Sequence, residues 1–277
     1  MPYKTILAYF SSEQRAKDLV SAAAQVTRDH TAHLIGVYVV PKIWINPAIS
    51  MEVPADFLSS QRQYHLEAAK QIEEIFNSEV SGSGISAEWR TLHSQEPKIA
   101  PVMVALARTV DLVILGQPND VTETDYSAEV PVAVLMGSGR PILVIPYEKQ
   151  VKNIGDNVTL AWNGAREATR AAFDALPFLQ NAKEVRLLSV DRENKQDSVF
   201  GRELAETLSR HGVTVTVTNS SKGNASIGEQ LLEETIENRG DLLVIGGYGH
   251  SRSREFIFGG ATKYILENMV VPVIFSH

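Results

Sequence analysis

The chain has 277 residues, 44% of them hydrophobic, and 26 Lys and Arg against 33 Asp and Glu for a formal net charge of −7. Such a composition buries a core and is neither disordered nor low-complexity. The charge divides as 12 basic against 17 acidic residues in 1–150 and 14 against 16 in 151–277, so neither half is a basic surface for nucleic acid or an anionic membrane. With no cysteine there are no disulfides, thiolate zinc sites, iron–sulfur clusters or cysteine nucleophiles.

The opening MPYKTILAYF has no long apolar core or small-residue cleavage site, and no run of about 18 apolar residues follows, so the expected location is the cytoplasm. In chain order, the first half reads as strand 4–9, helix 13–29, strand 33–39, an apolar loop 41–54, helix 55–80, strand 86–91, helix 98–109, strand 111–115, helix 131–136 and strand 142–145. The loop carries Trp44, Ile45, Ile49 and Met51 and is expected to pack on its own half, the alternative being that it caps a crevice or forms an interface. The second half reads as strand 158–162, helix 166–179, strand 184–190, helix 199–211, strand 214–218, helix 226–238, strand 241–245, helix 262–269 and strand 271–275.

These two series are one pattern written twice. KTILAYF at 4–10 matches NVTLAWN at 157–163, an offset of 153; DLVILG at 111–116 matches DLLVIG at 241–246, an offset of 130; RPILVIP at 140–146 matches VPVIFS at 271–276, an offset of 131. The first copy therefore carries about 23 extra residues, placed around 41–60. Alternating strand and helix implies a mainly parallel sheet covered on both faces. The expectation is an α/β chain of two tandem doubly wound, Rossmann-like, five-stranded sheets, as domains 1–150 and 151–277. Ligands of such sheets bind beyond the carboxyl ends of the strands.

The segment GGYGHSRSREFIFGGATK at 246–263 carries the chemistry. Gly246, Gly247, Gly249, Gly259 and Gly260 permit close backbone approach, so amides and a helix N-terminus can face an anion, with His250, Ser251, Arg252, Ser253, Arg254 and Lys263 adding donors. The alternative is plain turn chemistry. No Walker A loop, no G-x-G-x-x-G after the first strand, no G-x-S-x-G elbow and no metal-type spacing among His30, His33, His65, His93, His211, His250 and His277 occurs, so no catalytic residue and no metal ligand is assigned.

Gly246-x2-Gly249-x9-Gly259 after the fourth strand of a unit ending in VPVIF resembles the universal stress protein family, over the whole chain as a tandem pair. The resemblance implies an adenine nucleotide, ATP, with Mg2+ accompanying it only as the nucleotide's ion. Ala161, Trp162, Asn163 and Val190 would border adenine and ribose; Gly246, Gly247, Gly249, His250, Arg252, Arg254, Gly259, Gly260, Ala261 and Thr262 would line ribose and phosphates. The chain departs from the pattern at Gly260, where a Ser or Thr is usual, leaving Thr262 to supply a hydroxyl, and at Asn163, where an acid is common.

In the first half Asn119 stands where Gly249 does. Asp120, Glu123, Asp125 and Glu129 would repel phosphate, so that half is expected not to hold a nucleotide in the same way. The resemblance also implies that the last strands of the halves, each an edge strand, pair antiparallel as an intrachain pseudo-dimer, with a homodimer of whole chains open. Two further readings stand beside nucleotide binding: a nucleotide-independent dimerisation and interaction module, and an ATP-hydrolysing enzyme, for which no base or metal carboxylate is in evidence.

Overall fold

The computed structural model describes residues 2–43, 54–118, 129–147, 151–191, 197–221, 225–248 and 260–277. Its strands lie where β-branched and apolar residues run together: β1 (Thr5–Tyr9), β2 (His33–Val40), β3 (Ser86–His93), β4 (Leu112–Gly116) and β5 (Ile142–Ile145), then β6 (Asn157–Ala161), β7 (Glu184–Asp191), β8 (Val215–Ser221), β9 (Leu242–Gly246) and β10 (Val273–Ser276). The first half's helices are α1 (Ala16–His30), α2 (Ala55–Val80), α3 (Ala100–Ala107) and α4 (Val130–Ser138); the second half's are α5 (Arg166–Asp174), α6 (Leu176–Asn181), α7 (Asp197–Arg210), α8 (Ile227–Glu237) and α9 (Gly260–Asn268). A short 3-10 turn, Glu13–Arg15, leads into α1.

All ten strands form one sheet in the order β3-β2-β1-β4-β5-β10-β9-β6-β7-β8. Each half is parallel throughout, and the halves meet where β5 and β10 pair antiparallel, Val144 opposite Val273 and Ile142 opposite Phe275. The two edge strands therefore cover one another. Pro141 and Pro272 sit just ahead of these strands and accept from Val113 and Leu243, so no ladder donor is missing inside the junction. Ile142, Leu143, Val144, Val273, Ile274 and Phe275 are fully buried. At about 1.5–3 kcal/mol for each large side chain removed from water, the junction is a stretch of core.

Alternation along the strands divides the core between the two faces. Ile6, Ala8 and Phe10 join Leu143, Ile274, Val158 and Leu160 on the face covered by α1, α2 and α5–α7. Leu7 and Tyr9 join Val144, Phe275, Leu243 and Ala161 on the face covered by α3, α4, α8 and α9.

Two sequence expectations are corrected. The segment 166–179 is not one helix: α5 stops at Asp174, Ala175 has φ −85° and ψ 0°, and α6 restarts with Pro177 in its first turn, where a missing N–H is harmless. The offset between first strands is 152, not 153, because Ile6 and Val158 face Leu112 and Leu242, which are themselves 130 apart. The identities that suggested 153 would have turned every side chain of one strand to the wrong face.

The offset is 151 at β2 and β7 (His33 and Glu184) and 128 at β3 and β8 (Ala87 and Val215), so the extra 23 residues fall between the second and third strands. Part of the insertion lengthens α2 to 26 residues, against 14 in α7.

A repeated carboxylate anchors the amino end of the first strand in each half. Asp111 accepts from the N–H groups of Lys4 and Thr5 at 2.8 and 2.9 Å. Asp241 accepts from those of Gly155, Asp156 and Asn157 at 2.9–3.1 Å. Burial raises the Asp241 pKa and the three N–H groups pull it back.

Candidate functional site

In each half the first strand lies between its second and fourth, β1 between β2 and β4, β6 between β7 and β9. Connections leave it in opposite directions, and the crevice that opens outside the carboxyl ends is the expected ligand position.

In the first half a cavity of about 130 Å³ opens at the ends of β1 and β2 under α2, with Tyr9, Ser12, Glu13, Tyr38, His65 and Glu67 in its wall. Tyr38 Oη and His65 Nδ1 are 2.9 Å apart. Burial, with Tyr64 adding to it, pushes the Tyr38 phenol up to about 12, and burial pushes the His65 imidazole down. Both groups are uncharged at neutral pH.

Beside them Arg15 reaches across the ends of β4 and β5. Its guanidinium donates to the carbonyls of Gln117 (2.9 Å), Ile145 (3.2 Å) and Pro146 (2.8 Å) and lies 4.6 Å from the centre of the Tyr147 ring. Gly116 makes room for it, since a Cβ there would stand 2.9 Å from Arg15 Nη1.

The corrected register sets Ala161, Trp162, Asn163 and Glu167 in the second half against Tyr9, Phe10, Ser11 and Arg15. The second strands set Ser189 and Val190 against Tyr38 and Val39. Small side chains, Ala161 and Ser189, thus replace two tyrosines at the crevice. Trp162 is half-buried, and its indole N–H is buried with no hydrogen bond among the described residues. Asn163 is exposed; its Oδ1 accepts from Ala165 N–H at 3.1 Å, and Gly164, at φ +73°, completes the turn into α5. The Glu167 carboxylate is met by Arg166 at 3.3 Å.

The glycines that open the motif have packing reasons of their own. A Cβ on Gly246 would lie 2.5 Å from the Glu167 carbonyl carbon, because the alanine face of α5 (Ala168, Ala171, Ala172) brings that helix close to the sheet. A Cβ on Gly247 would lie 2.8 Å from Leu135 Cδ2 of α4, across the junction. At the equivalent place in the first half, Gln117 donates to the Leu266 carbonyl of α9 at 2.9 Å.

Gly247 N–H donates to Ser276 O at 2.7 Å and Tyr248 N–H to Thr262 Oγ1 at 3.2 Å. Both amides are committed to protein acceptors, and Thr262 is buried in fixing the start of the loop to α9. Tyr248 takes φ +56°, and burial pushes its phenol up to about 12. Ala261 packs its backbone against Gly228, whereas a Cβ on Gly260 would meet nothing within 4 Å. Gly249, His250, Arg252, Arg254 and Gly259 lie outside the described residues, as do Ser251 and Ser253, the acidic Asp120, Glu123 and Asp125, and Trp44, Ile45, Ile49 and Met51.

The structure thus brings together Ala161, Trp162, Asn163, Val190, Gly246 and Gly247 at one end of the sheet, with Thr262 joined to them through Tyr248. Sequence reasoning missed the cavity residues of the first half and Arg15. The signal was available in the pairing of Tyr9 with Ala161, which the one-residue slip concealed. Among the described residues no group of three or more His, Asp or Glu could hold a metal ion, and no helix is long and apolar enough to cross a membrane.

No protein-family model and no curated protein matches the chain. Solved structures do. A universal stress protein from Archaeoglobus fulgidus DSM 4304 superposes with a TM-score of 0.76 at 15% identity, over 98% of this chain and 95% of that one. The chain has the universal stress protein fold. A functionally unknown protein of Pseudomonas aeruginosa PAO1 follows with a TM-score of 0.59 at 12% identity, over 99% of this chain and 92% of that one. At these identities the likeness establishes the doubly wound α/β architecture of universal stress proteins, and the site has to be argued from the residues present.

Proposed function

We propose that this chain binds an adenine nucleotide at the carboxyl ends of β6, β7 and β9 and acts through that binding, as a tandem stress-response protein of domains 1–150 and 151–277. The observation that carries the reading is the exchange at the strand ends, where the small Ala161 and Ser189 stand at the register positions that Tyr9 and Tyr38 hold in the first half. Smaller side chains there favour an adenine and ribose. Gly260 with open space at the start of α9, and Arg252 and Arg254 in the segment before it, supply the means to meet phosphates. ATP is the nucleotide proposed, with Mg2+ arriving on it.

Calorimetric titration of the whole chain with ATP and Mg2+ tests this. The expected result is a saturable heat below about 1 mM ligand, lost in Gly249→Val and Gly259→Val. Absence of heat in the unsubstituted chain at several millimolar overturns the reading.

The packing reasons for Gly246 and Gly247 favour the second reading, a nucleotide-independent interaction module, because neither glycine then requires a ligand. A partner captured equally with and without ATP would be its signature.

A further inference from the structure

We infer that the first-half crevice is a site for a small organic cation, distinct in ligand class from the nucleotide proposed for the second half. The cavity of about 130 Å³ lies below the range of roughly 300–1,000 Å³ typical of pockets for drug-sized ligands, so it suits a compact guest. Its wall combines three tyrosines, Tyr9, Tyr38 and Tyr64, with two carboxylates, Glu13 and Glu67. Among the described lining residues there is no Lys or Arg. The nearby guanidinium, Arg15, is engaged with three main-chain carbonyls and the Tyr147 ring. An anion entering here would meet two carboxylates and, among the described lining residues, no Lys or Arg to receive it.

For a cation each of these features is favourable. Aromatic faces attract it through their quadrupole, and carboxylates at the rim supply the opposite charge where water is partly excluded. The Tyr38–His65 pair is buried at the floor and adds polarity without charge, fixing the ring positions through its hydrogen bond. Ser12 Oγ is buried with no hydrogen bond among the described residues, an acceptor that an ammonium N–H or a ligand hydroxyl can use. Glu13, Glu67 and Tyr64 are all exposed, which puts charge and ring surface on the solvent side of the cavity. The matching positions of the second half show what this wall costs a nucleotide: Ala161 and Ser189 are small there, and the residues of the cage have no counterparts at β6 and β7.

Choline serves as the probe and AMP as the anionic control, titrated into the full chain while the His65 and tyrosine ring resonances are followed. Saturable shifts of His65 with choline are expected. Glu13→Gln with Glu67→Gln should weaken binding by about tenfold, the size of two lost charge contacts at an exposed rim. Ala68→Phe, which fills the cavity from α2, should abolish it. AMP should leave His65 unmoved and bind equally well to the Glu13→Gln, Glu67→Gln protein. The inference is overturned if choline at about 50 mM moves none of these resonances, if the glutamine variant binds it as tightly, or if AMP displaces choline from His65.

Discussion

A single side chain separates the two crevices more sharply than any motif does. Tyr9 and Ala161 occupy the same register position on their strands, Tyr9 lining a small cavity and Ala161 a small side chain buried in the core. The motif glycines illustrate how far a sequence pattern can be trusted at this scale. Gly246 and Gly247 were legible as glycines that permit close approach, but the approaching groups are α5 and Leu135 of the same chain. A sequence carries no information about what will stand 2.8 Å from an absent Cβ.

The consequence can be measured. Gly247→Ala should destabilise the chain by about 1–3 kcal/mol through overpacking against Leu135, and Leu135→Ala in the same chain should recover part of that loss. Urea unfolding of the two single variants and the double variant gives the coupling. Additive losses would show that the two residues do not meet.

At the scale of elements, hydrophobic periodicity located the strands and nearly all the helices, because strands of four to eight apolar residues between punctuating glycines and prolines have few other ways to be buried. The one merged helix, 166–179, had unbroken periodicity across Ala175; the break comes from Pro177, whose ring and missing N–H restart the helix and bring Phe178 and Leu179 down onto the core. The register of β6 was misread for a related reason. Residue identities such as the shared LA of the two first strands carry less constraint than the alternation of faces, which puts Val158, Leu160 and Trp162 with Ile6, Ala8 and Phe10. Of the candidate site, the strand ends were legible and the wall of the first-half cavity was not, since it depends on α2 coming back over β1 and β2 after the insertion.

The whole molecule is a pseudo-symmetric pair fused into a ten-stranded sheet, and its seam contains more than β5 and β10. At the amino ends of the strands, the His30 ring packs edge-on between Tyr3 of its own half and Phe178 of the other, with centroids 5.0 and 4.7 Å away. Tyr3 donates its hydroxyl to Asp174 O across the same seam at 2.6 Å. Burial lowers the His30 pKa to about 4.

The folded state therefore holds His30 neutral, while the unfolded chain takes up a proton near the ordinary value of about 6.5. The stability this neutral ring confers is fully present above about 6.5 and is lost as the pH falls towards about 4, with a slope of up to about 1.4 kcal/mol per pH unit. Between pH 7 and 5 the unsubstituted chain should lose about 2 kcal/mol more than His30→Leu, compared by urea unfolding at each pH. An equal loss in the two proteins would remove His30 from the pH dependence.

A natural reporter stands at the strand ends of the second half. Trp162, next to Ala161 at the crevice of the second half, has a buried indole N–H with no hydrogen bond among the described residues, whereas the Trp89 indole in the first half donates to Thr91 Oγ1 at 3.0 Å. In a titration of the nitrogen-15-labelled chain with ATP and Mg2+, the Trp162 indole resonance should shift and saturate together with the calorimetric heat while that of Trp89 stays in place. A Trp162 resonance unmoved at saturating ATP, or a shift confined to Trp89, would contradict nucleotide binding at the ends of β6, β7 and β9.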